Sequence, residues 1–384
     1  MNLYNEYVKN IKYNGFGIAE GCAKDIITLI NLYDISKDNL YKDKIDEIIK
    51  DILLKKSNQK LYEIGLWDGV LGLSLAIDIV SSYFKTNEYN RINERIYDNL
   101  KPIIEYWLNI DSYNLSLDYL NGFSGIILYI GNHSIAKRDN KLIESTQKKI
   151  VELLDESIMD KFIVSKKSDL YYLDSKYNED ENYIILGLAH GITGFLISIN
   201  SIMSLADYNT RKKIVSFNYY IEKLFLDNFF DKQKKLQVPL SLKVVNQNSY
   251  KVFSNKDLNI NELSWCYGII GIGIYVFKIS GSVELKEKIA KEINKEISKI
   301  LIKNSDNGYD KDLCICHGYS AIFYFYNFMC SSGEKSHNFI KYLKNSLNNK
   351  DYKNDFLVGI EGIVLTINAL EANKRFLGDF LLGY

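Results

Sequence analysis

The chain has 384 residues, of which 47% are hydrophobic and 25% are charged. This composition is ordinary for a globular protein with a large core and lies outside the range of disordered proteins. Lysine plus arginine equals aspartate plus glutamate at 48 each, so the formal net charge is zero. Without a global basic field to attract phosphates, we expect no nucleic-acid partner.

Neither an export signal nor a transmembrane segment is expected. Residues 1–15 are polar and charged and contain no apolar stretch of the kind that a secretory signal requires. The stretch from Asn182 to Ala206 lacks charged residues and is long enough to span a bilayer. It also contains His190, Thr193 and Asn200, whose polar groups would need partners in lipid. We therefore predict a buried core helix there.

The cysteines indicate a reduced, cytoplasmic protein. There are five, too few and too unevenly placed for a disulfide framework, and no export signal accompanies them. Cys22 and Cys330 are interpreted as small core residues. Cys314 lies two residues before Cys316, so the two thiols are an alternative chelating pair, although a helix start would direct them apart. His133 and His337 lie in polar stretches and are expected to be exposed.

Two kinds of segment follow each other along the chain. The first kind is an amphipathic helix with one wet face. Its examples are the apolar series Ile45, Ile48, Ile49, Ile52, Leu53 and the series Leu285, Ile289, Ile293, Ile297, Ile300, the latter with Ser282 as its predicted N-cap. The second kind opens with Gly-x-x-Gly and continues as an apolar run. Its examples start at Gly69, Gly122, Gly191, Gly268 and Gly359, with a sixth at Gly318 in which Ala321 replaces the second glycine.

This alternation predicts an all-α fold with two concentric layers, buried inner helices and half-wet outer helices. Closed on itself, such an arrangement is an α/α toroid, in which glycine pairs let the inner backbones approach each other. An open helical solenoid is the alternative, but its repeats are usually more regular than these. We expect one toroid domain over residues 1–384. A small hairpin or loop is predicted as an insertion around residues 233–256, where the helical pattern loosens.

Three of the glycine turns carry chemically useful side chains just before their first glycine. These side chains are His190, Cys266 and the adjacent pair Cys316 and His317. Two thiolates and one imidazole give zinc three protein ligands and leave its fourth position open, as in catalytic zinc sites. His190 is the alternative fourth ligand, which would make the site structural, but we favour an acid–base role for it. The side chains converge only if the ring closes.

Longer strings around these residues resemble the signature motifs of the lanthionine synthetase C-like family. The strings are Gly187-Leu-Ala-His190-Gly191-Ile-Thr-Gly194, Ser264-Trp-Cys266-Tyr-Gly268-Ile-Ile-Gly271, Cys314-Ile-Cys316-His317-Gly318, Asp118-Tyr-Leu-Asn-Gly122-Phe-Ser-Gly125 and Phe356-Leu-Val-Gly359-Ile-Glu-Gly362. The resemblance spans about residues 65 to 370. It implies an α/α toroid with one zinc ion held by Cys266, Cys316 and His317, and acid–base roles for His190 and Asp118.

Two positions depart from the pattern of that family. Many cyclases of the family have an arginine four residues before the zinc cysteine, whereas this chain has Glu262. Any charge stabilisation by that arginine is therefore absent or supplied elsewhere. The second departure is Ala321 in place of glycine, which we interpret as a small steric change. The implied ligand set itself is complete.

The resemblance implies a lanthipeptide cyclase of lantibiotic biosynthesis. In this reaction a peptide cysteine thiol adds to a dehydroalanine or dehydrobutyrine and forms a thioether ring. Two thiolate ligands already neutralise the zinc dication, so a third, substrate thiolate would stay electron-rich and nucleophilic. His190 is expected to protonate the α-carbon. Asp118 would orient His190, accept the thiol proton, or cap the helix that opens at Gly122.

The implied partners are a precursor peptide, a separate dehydratase that modifies it first, and an exporter. A cytoplasmic location is expected, with peripheral association at the inner membrane in a biosynthetic complex. The main alternative is a non-catalytic relative that binds zinc, thiols or peptides without converting them. A zinc hydrolase is disfavoured because no HExxH-type helix is present. An α/α glycosidase is disfavoured because Asp118 has no paired acid.

Overall fold

The computed structural model describes residues 7–8, 11, 15–54, 64–155, 158–165, 182–229, 241–246, 249–252, 263–303, 312–330, 336–347 and 353–384. Helices dominate this part of the chain. In chain order they are α1 (Cys22–Ser36), α2 (Asn39–Leu54), α3 (Val70–Phe84), α4 (Asn87–Leu108), α5 (Phe123–Asn132), α6 (Asn140–Asp155), α7 (Ile192–Ser201), α8 (Tyr208–Asn228), α9 (Ile269–Lys278), α10 (Val283–Lys303), α11 (Tyr319–Phe325), α12 (Ser336–Leu347) and α13 (Ile360–Ala372).

Odd-numbered helices form an inner layer and even-numbered helices an outer layer. In α9 every residue from Ile269 to Val276 is buried, so this helix has no wet face. In α4 the buried residues recur every three or four positions as a single stripe, and the other face is largely polar. The amphipathic and apolar segments of the sequence thus correspond to the two layers. As predicted, Ser282 accepts the backbone N–H of Leu285 at the start of α10.

The inner layer closes into a ring through the turns that precede its helices. Each turn bonds to the next by backbone hydrogen bonds of 2.8 to 3.3 Å. Going round, the donor and acceptor residues are Ala19 to Trp67, Trp67 to Leu120, Tyr119 to Ala189, Ala189 to Cys266, Cys266 to Cys316, Cys316 to Leu357, and Phe356 to Ala19. The last bond returns to the first turn, so the toroid is confirmed and the open solenoid is wrong. We call this closed set of seven turns the turn ring.

One of the seven turns was not predicted. It covers residues 16–21, and α1 begins directly after Gly21. The position three residues later is Lys24, so this turn has no Gly-x-x-Gly signature. The sequence therefore indicated six inner helices, whereas the structure has seven in the described part of the chain.

The second glycine of the turns is required by close packing against backbone. A Cβ at Gly194 would lie 2.1 Å from the carbonyl oxygen of Leu188, and one at Gly271 would lie 2.2 Å from that of Trp265. In both turns the contacted carbonyl belongs to the residue six positions earlier. The turn therefore folds back over the first turn of its own inner helix, which leaves no room for a side chain.

A four-stranded antiparallel sheet adds to the helices. It consists of β1 (Ile163–Ser165), β2 (Asn182–Ile185), β3 (Ser241–Asn246) and β4 (Ser249–Val252), paired in that order. The β3–β4 hairpin lies in the range predicted as an insertion, of which residues 233–240, 247–248 and 253–256 lie outside the described part.

A buried core helix lies in the stretch from Asn182 to Ala206, as predicted, but it covers only part of that stretch. Residues 182–185 form β2, the next residues form the turn at His190, and α7 covers only residues 192–201. The apolar run is continuous because a buried strand and a buried helix follow each other, and periodicity cannot separate the two. Among the described helices, none has both the length and the apolar character needed to cross a bilayer.

Aromatic rings fill the space beneath the turn ring. The ring of Trp67 lies 5.8 Å from that of Trp265 and 5.6 Å from that of Phe356. Segment 376–384 packs against this cluster: Tyr119 Oη donates to the carbonyl of Leu381 and Trp265 Nε1 to that of Leu382, both at 3.0 Å. Aromatic side chains and segment 376–384 thus pack together on the inner side of the turns.

Candidate metal and acid–base centre

The predicted site residues lie on four consecutive turns of the turn ring. Asp118 lies on the turn that bonds to the His190 turn. The His190 turn bonds through Ala189 to Cys266, and Cys266 bonds to Cys316. These turns are far apart in sequence, and ring closure makes them neighbours. The structure thus brings together Asp118, His190, Cys266, Cys316 and His317 on one face of the toroid.

Cys266 and Cys316 form a thiol pair at the centre of this group. Their sulfurs are hydrogen-bonded to each other, and Cys266 is only 8% exposed. The bond from Cys316 lowers the pKa of Cys266 to about 7. The same pairing, together with burial, raises the pKa of Cys316. Two adjacent thiols of this kind would together offer two thiolates to a soft metal ion.

His317 faces an aspartate that was not predicted. Its Nε2 lies 3.5 Å from Oδ2 of Asp312, and both side chains are partly exposed. The Asp312 carboxylate, assisted by Cys314, raises the pKa of His317 to about 10, and the imidazole lowers the pKa of Asp312. Ligand atoms of Asp312, Cys314 and His317 all lie within 4.8 Å of one another. Only His317 is common to this cluster and the predicted ligand set.

His190 is held by Asp118. The distance from His190 Nδ1 to Asp118 Oδ2 is 2.5 Å, and the imidazole packs against the ring of Tyr267 at 5.5 Å. Burial lowers the pKa of His190, but the hydrogen bond and charge of Asp118, with a contribution from Cys266, outweigh burial and raise it. A raised pKa favours the protonated imidazolium, which is the form that a proton donor needs.

Asp118 also organises its own turn. Its Oδ1 accepts the backbone N–H groups of Leu120 and Asn121, both at 2.8 Å. Asp355 plays the same part in another turn, where its Oδ1 accepts two backbone N–H groups at 2.7 and 2.8 Å. Asp118 therefore shares its turn-forming role with Asp355, and the contact with His190 distinguishes it.

The donor set fits a zinc ion. Two thiols and one imidazole on adjacent turns are the ligand types that zinc prefers, and they leave one of four positions for a substrate. A carboxylate beside the imidazole is the usual partner of a metal-binding histidine. Asp312 is thus the residue that sequence reasoning missed. A carboxylate five residues before the histidine was the available signal, but spacing alone does not show that a loop will fold back.

The remaining histidines and cysteines lie outside this group. His133 was expected to be exposed, which is wrong: it is fully buried, and its Nε2 lies 3.1 Å from Oδ1 of Asn93. His337 is exposed, and Cys22 is fully buried, as predicted. Cys330 is half-buried. Glu262 stands where many cyclases of the family that the sequence resembles have an arginine, and it lies outside the described residues.

Comparisons with known proteins agree with the geometry. The model of the family described as lanthionine synthetase C-like protein matches residues 13–381. The nisin biosynthesis protein NisC of Lactococcus lactis subsp. lactis is 23% identical over 397 residues, covering 96% of this chain and 88% of that protein. A solved structure described as nisin cyclase superposes with a TM-score of 0.73 at 18% identity, covering 99% of this chain and 94% of that one, which shows a shared fold. Because the family match extends over nearly the whole sequence, the chain belongs to the lanthionine synthetase C-like family.

Proposed function

We propose that this protein is a zinc-dependent lanthipeptide cyclase. The observation that carries the proposal is the juxtaposition of two pairs on neighbouring turns: the Cys266–Cys316 thiols and the Asp118–His190 ion pair. The first pair, with His317, has the chemistry of an open zinc site, and the second has the chemistry of a proton donor. The similarity to a nisin biosynthesis protein and to a nisin cyclase supports the same reaction class.

The substrate is a ribosomally made precursor peptide that has already been dehydrated. A separate dehydratase would supply the dehydro residues, and an exporter would take the product, with association at the inner membrane as the expected arrangement. Partial exposure of His190 and His317 on the turn face leaves the site open to a peptide segment.

Each residue of the site has a defined task. Cys266, Cys316 and His317 would hold zinc, which keeps a substrate thiol deprotonated at neutral pH. When that sulfur adds to the β-carbon, the α-carbon must gain a proton. His190 supplies this proton, with Asp118 fixing the imidazole through Nδ1 and stabilising its charged form. Tyr267 packs against the imidazole ring of His190.

The alternative within the same family is a protein that binds zinc and thiols but does not convert them. Both alternatives need the same ligands, so only turnover separates them. If turnover is found, His190 tests its mechanism, because removing the imidazole should reduce proton donation while leaving the thiol pair intact.

The test measures bound zinc, binding of a small thiol, and cyclisation of a dehydrated peptide in the wild type, C316A and H190Q. We expect about one zinc ion per chain, lost in C316A and retained in H190Q. Cyclisation should fall about 10²- to 10⁴-fold in H190Q, the usual contribution of a general acid. His337→Gln, which changes an exposed histidine, is the matched control and should behave as the wild type.

Several results would overturn parts of this proposal. Wild-type protein without zinc under metal-replete conditions would exclude the metal-dependent reaction. Zinc and thiol binding without cyclisation would support the non-catalytic alternative. Loss of zinc in H190Q would make His190 a fourth ligand of a closed, structural site.

A further inference from the structure

We infer that Asp312 is a positioning residue that fixes the imidazole of His317 for metal binding. The inference rests on the proposed zinc site and adds to it a residue outside the predicted ligand set. It also assigns the ring nitrogens of His317: Nε2 is directed at the carboxylate, and Nδ1 is the nitrogen for the metal.

Asp312 is itself firmly placed. Its Oδ1 accepts the backbone N–H of Cys314 at 3.2 Å, and its carbonyl oxygen accepts that of Tyr319 at 3.1 Å. Tyr319 is the first residue of α11, the inner helix that follows the His317 turn. The carboxylate is therefore tied to the turn that carries His317, which keeps it beside that imidazole.

His317 needs such a partner because its side chain is 45% exposed. A surface imidazole samples several rotamers, and only one of them presents the correct nitrogen to a metal ion. The Asp312 carboxylate, 3.5 Å from Nε2, favours one orientation and one tautomer. Groups that hydrogen-bond to a metal-binding histidine typically contribute about 10- to 100-fold to metal affinity.

A competing interpretation is that Asp312, Cys314 and His317 themselves hold the metal. Their ligand atoms are close enough, within 4.8 Å of one another. However, Cys314 is fully buried, which closes that side of the cluster to a substrate thiol. The Cys266–Cys316 pair instead offers two thiolates on the turn face, a better match to zinc than one thiolate and one carboxylate. We therefore assign the carboxylate to His317 and not to the metal.

The test uses full-length protein carrying D312N. Asparagine keeps an oxygen for the N–H of Cys314 and removes the charge that faces His317. We expect zinc affinity, measured by competition with a chelator, to fall about 10- to 100-fold while stoichiometry at saturating zinc stays near one. The effect should vanish in a H317A background, because a positioning residue acts only through the group it positions.

A spectroscopic readout separates positioning from general destabilisation. The chain has only 4 histidines, so ¹⁵N signals of the imidazoles can be assigned individually. In the zinc-loaded wild type, His317 should show a metal-bound Nδ1 and a protonated Nε2, and D312N should show a mixture of states. Asp68→Asn removes an equal charge from another turn and should leave both affinity and spectrum unchanged.

The outcomes are distinct. If the wild type binds no zinc, both the proposed function and this inference fail. If zinc depends on Cys266 but D312N leaves affinity and the His317 signals unchanged, only the inference fails. If C314S abolishes zinc binding and C266S does not, the buried cluster is the metal site and both are overturned. Should D312N fail to fold, D312E restores the charge, and near-wild-type zinc affinity in that variant supports the inference.

Discussion

The candidate site on the turn ring and the seam of the ring are built on the same kind of backbone turn but differ in their side chains. At the candidate site, the Asp118–His190 and Asp312–His317 pairs are partly exposed, which leaves them accessible to a substrate. The seam is the place where α13 meets α1, and there Lys24, Asp25 and Glu361 are all fully buried. The common turn architecture thus supports either chemistry or closure, and solvent access separates the two roles.

The seam contains a buried ion network. Lys24 Nζ lies 2.9 Å from Asp25 Oδ2 and 3.0 Å from Glu361 Oε1, and Tyr7 Oη donates to Asp25 Oδ1 at 2.9 Å. Burial alone would lower the pKa of Lys24, but the two carboxylates outweigh the effect of burial, so the pKa of Lys24 is raised. Burial raises the pKa of Glu361 to about 7. Lys24 thus bridges two carboxyl groups from adjacent inner helices, which joins the first turn of the ring to the last.

The largest expected loss of stability comes from a substitution that disrupts the ion network of the seam. Lys24→Met leaves Asp25 and Glu361 without their cation in a dry environment, and removing one partner of a buried pair costs about 3 to 5 kcal/mol. The free energy of unfolding, measured by denaturant titration, should fall by that amount.

Lys295→Met is the matched control, since Lys295 forms an exposed ion pair with Glu292. Exposed pairs are worth about 0 to 1 kcal/mol. If the two variants lose similar stability, the seam does not depend on its ion network, and the contrast between the two regions disappears.

His133 extends the comparison to a buried histidine. The carboxylate nearest to it in the described structure is farther away than Asp118 is from His190. Burial lowers its pKa to about 4, and Nδ1 accepts the backbone N–H groups of Ile135 and Ala136. Between about pH 4 and 6.5 the unfolded chain binds a proton that the folded state does not. Stability should therefore fall as the pH falls through this window, by up to about 3 kcal/mol.

The measurement compares the pH dependence of unfolding in the wild type and in His133→Asn. The difference between the two curves should grow smaller toward pH 4, because the variant lacks this protonation cost. Parallel curves across the window would show that His133 is not held neutral by the fold. His190, in contrast, has a raised pKa, so its variant should not reproduce this behaviour.

The smallest of these effects concerns the backbone that both regions share. Gly271→Ala places a Cβ 2.2 Å from the carbonyl oxygen of Trp265, and overpacking of this kind costs about 1 to 3 kcal/mol. Gly281→Ala is the control, because a Cβ there meets nothing within 4 Å. Thermal unfolding should separate the two variants, and equal stabilities would show that the turns tolerate side chains.

Much of the architecture could be predicted from the sequence because its signals are local. Five Gly-x-x-Gly turns and the related turn at Gly318 mark helix starts, and helical periodicity marks the outer layer. Convergence of His190, Cys266 and Cys316 followed from assuming that equivalent turns meet on one face, and the structure places them so.

The features that were missed depend on tertiary context. The turn at residues 16–21 was missed because Lys24 stands where the other turns have a small residue, and only the seam explains how a lysine fits there. His133 was missed because its neighbours in sequence are polar, whereas its burial is decided by packing between helices. Asp312 was missed because its contact with His317 depends on how the loop bends.

Closure of the turn ring has a consequence for how the chain folds. Each pair of inner and outer helices can form from nearby residues, whereas the bond from Phe356 to Ala19 joins segments from opposite ends of the described sequence. This last contact gives a helical protein the long-range topology that usually slows folding. Intermediates with most helices formed but the circle still open should therefore accumulate, exposing apolar inner faces until the final turn docks.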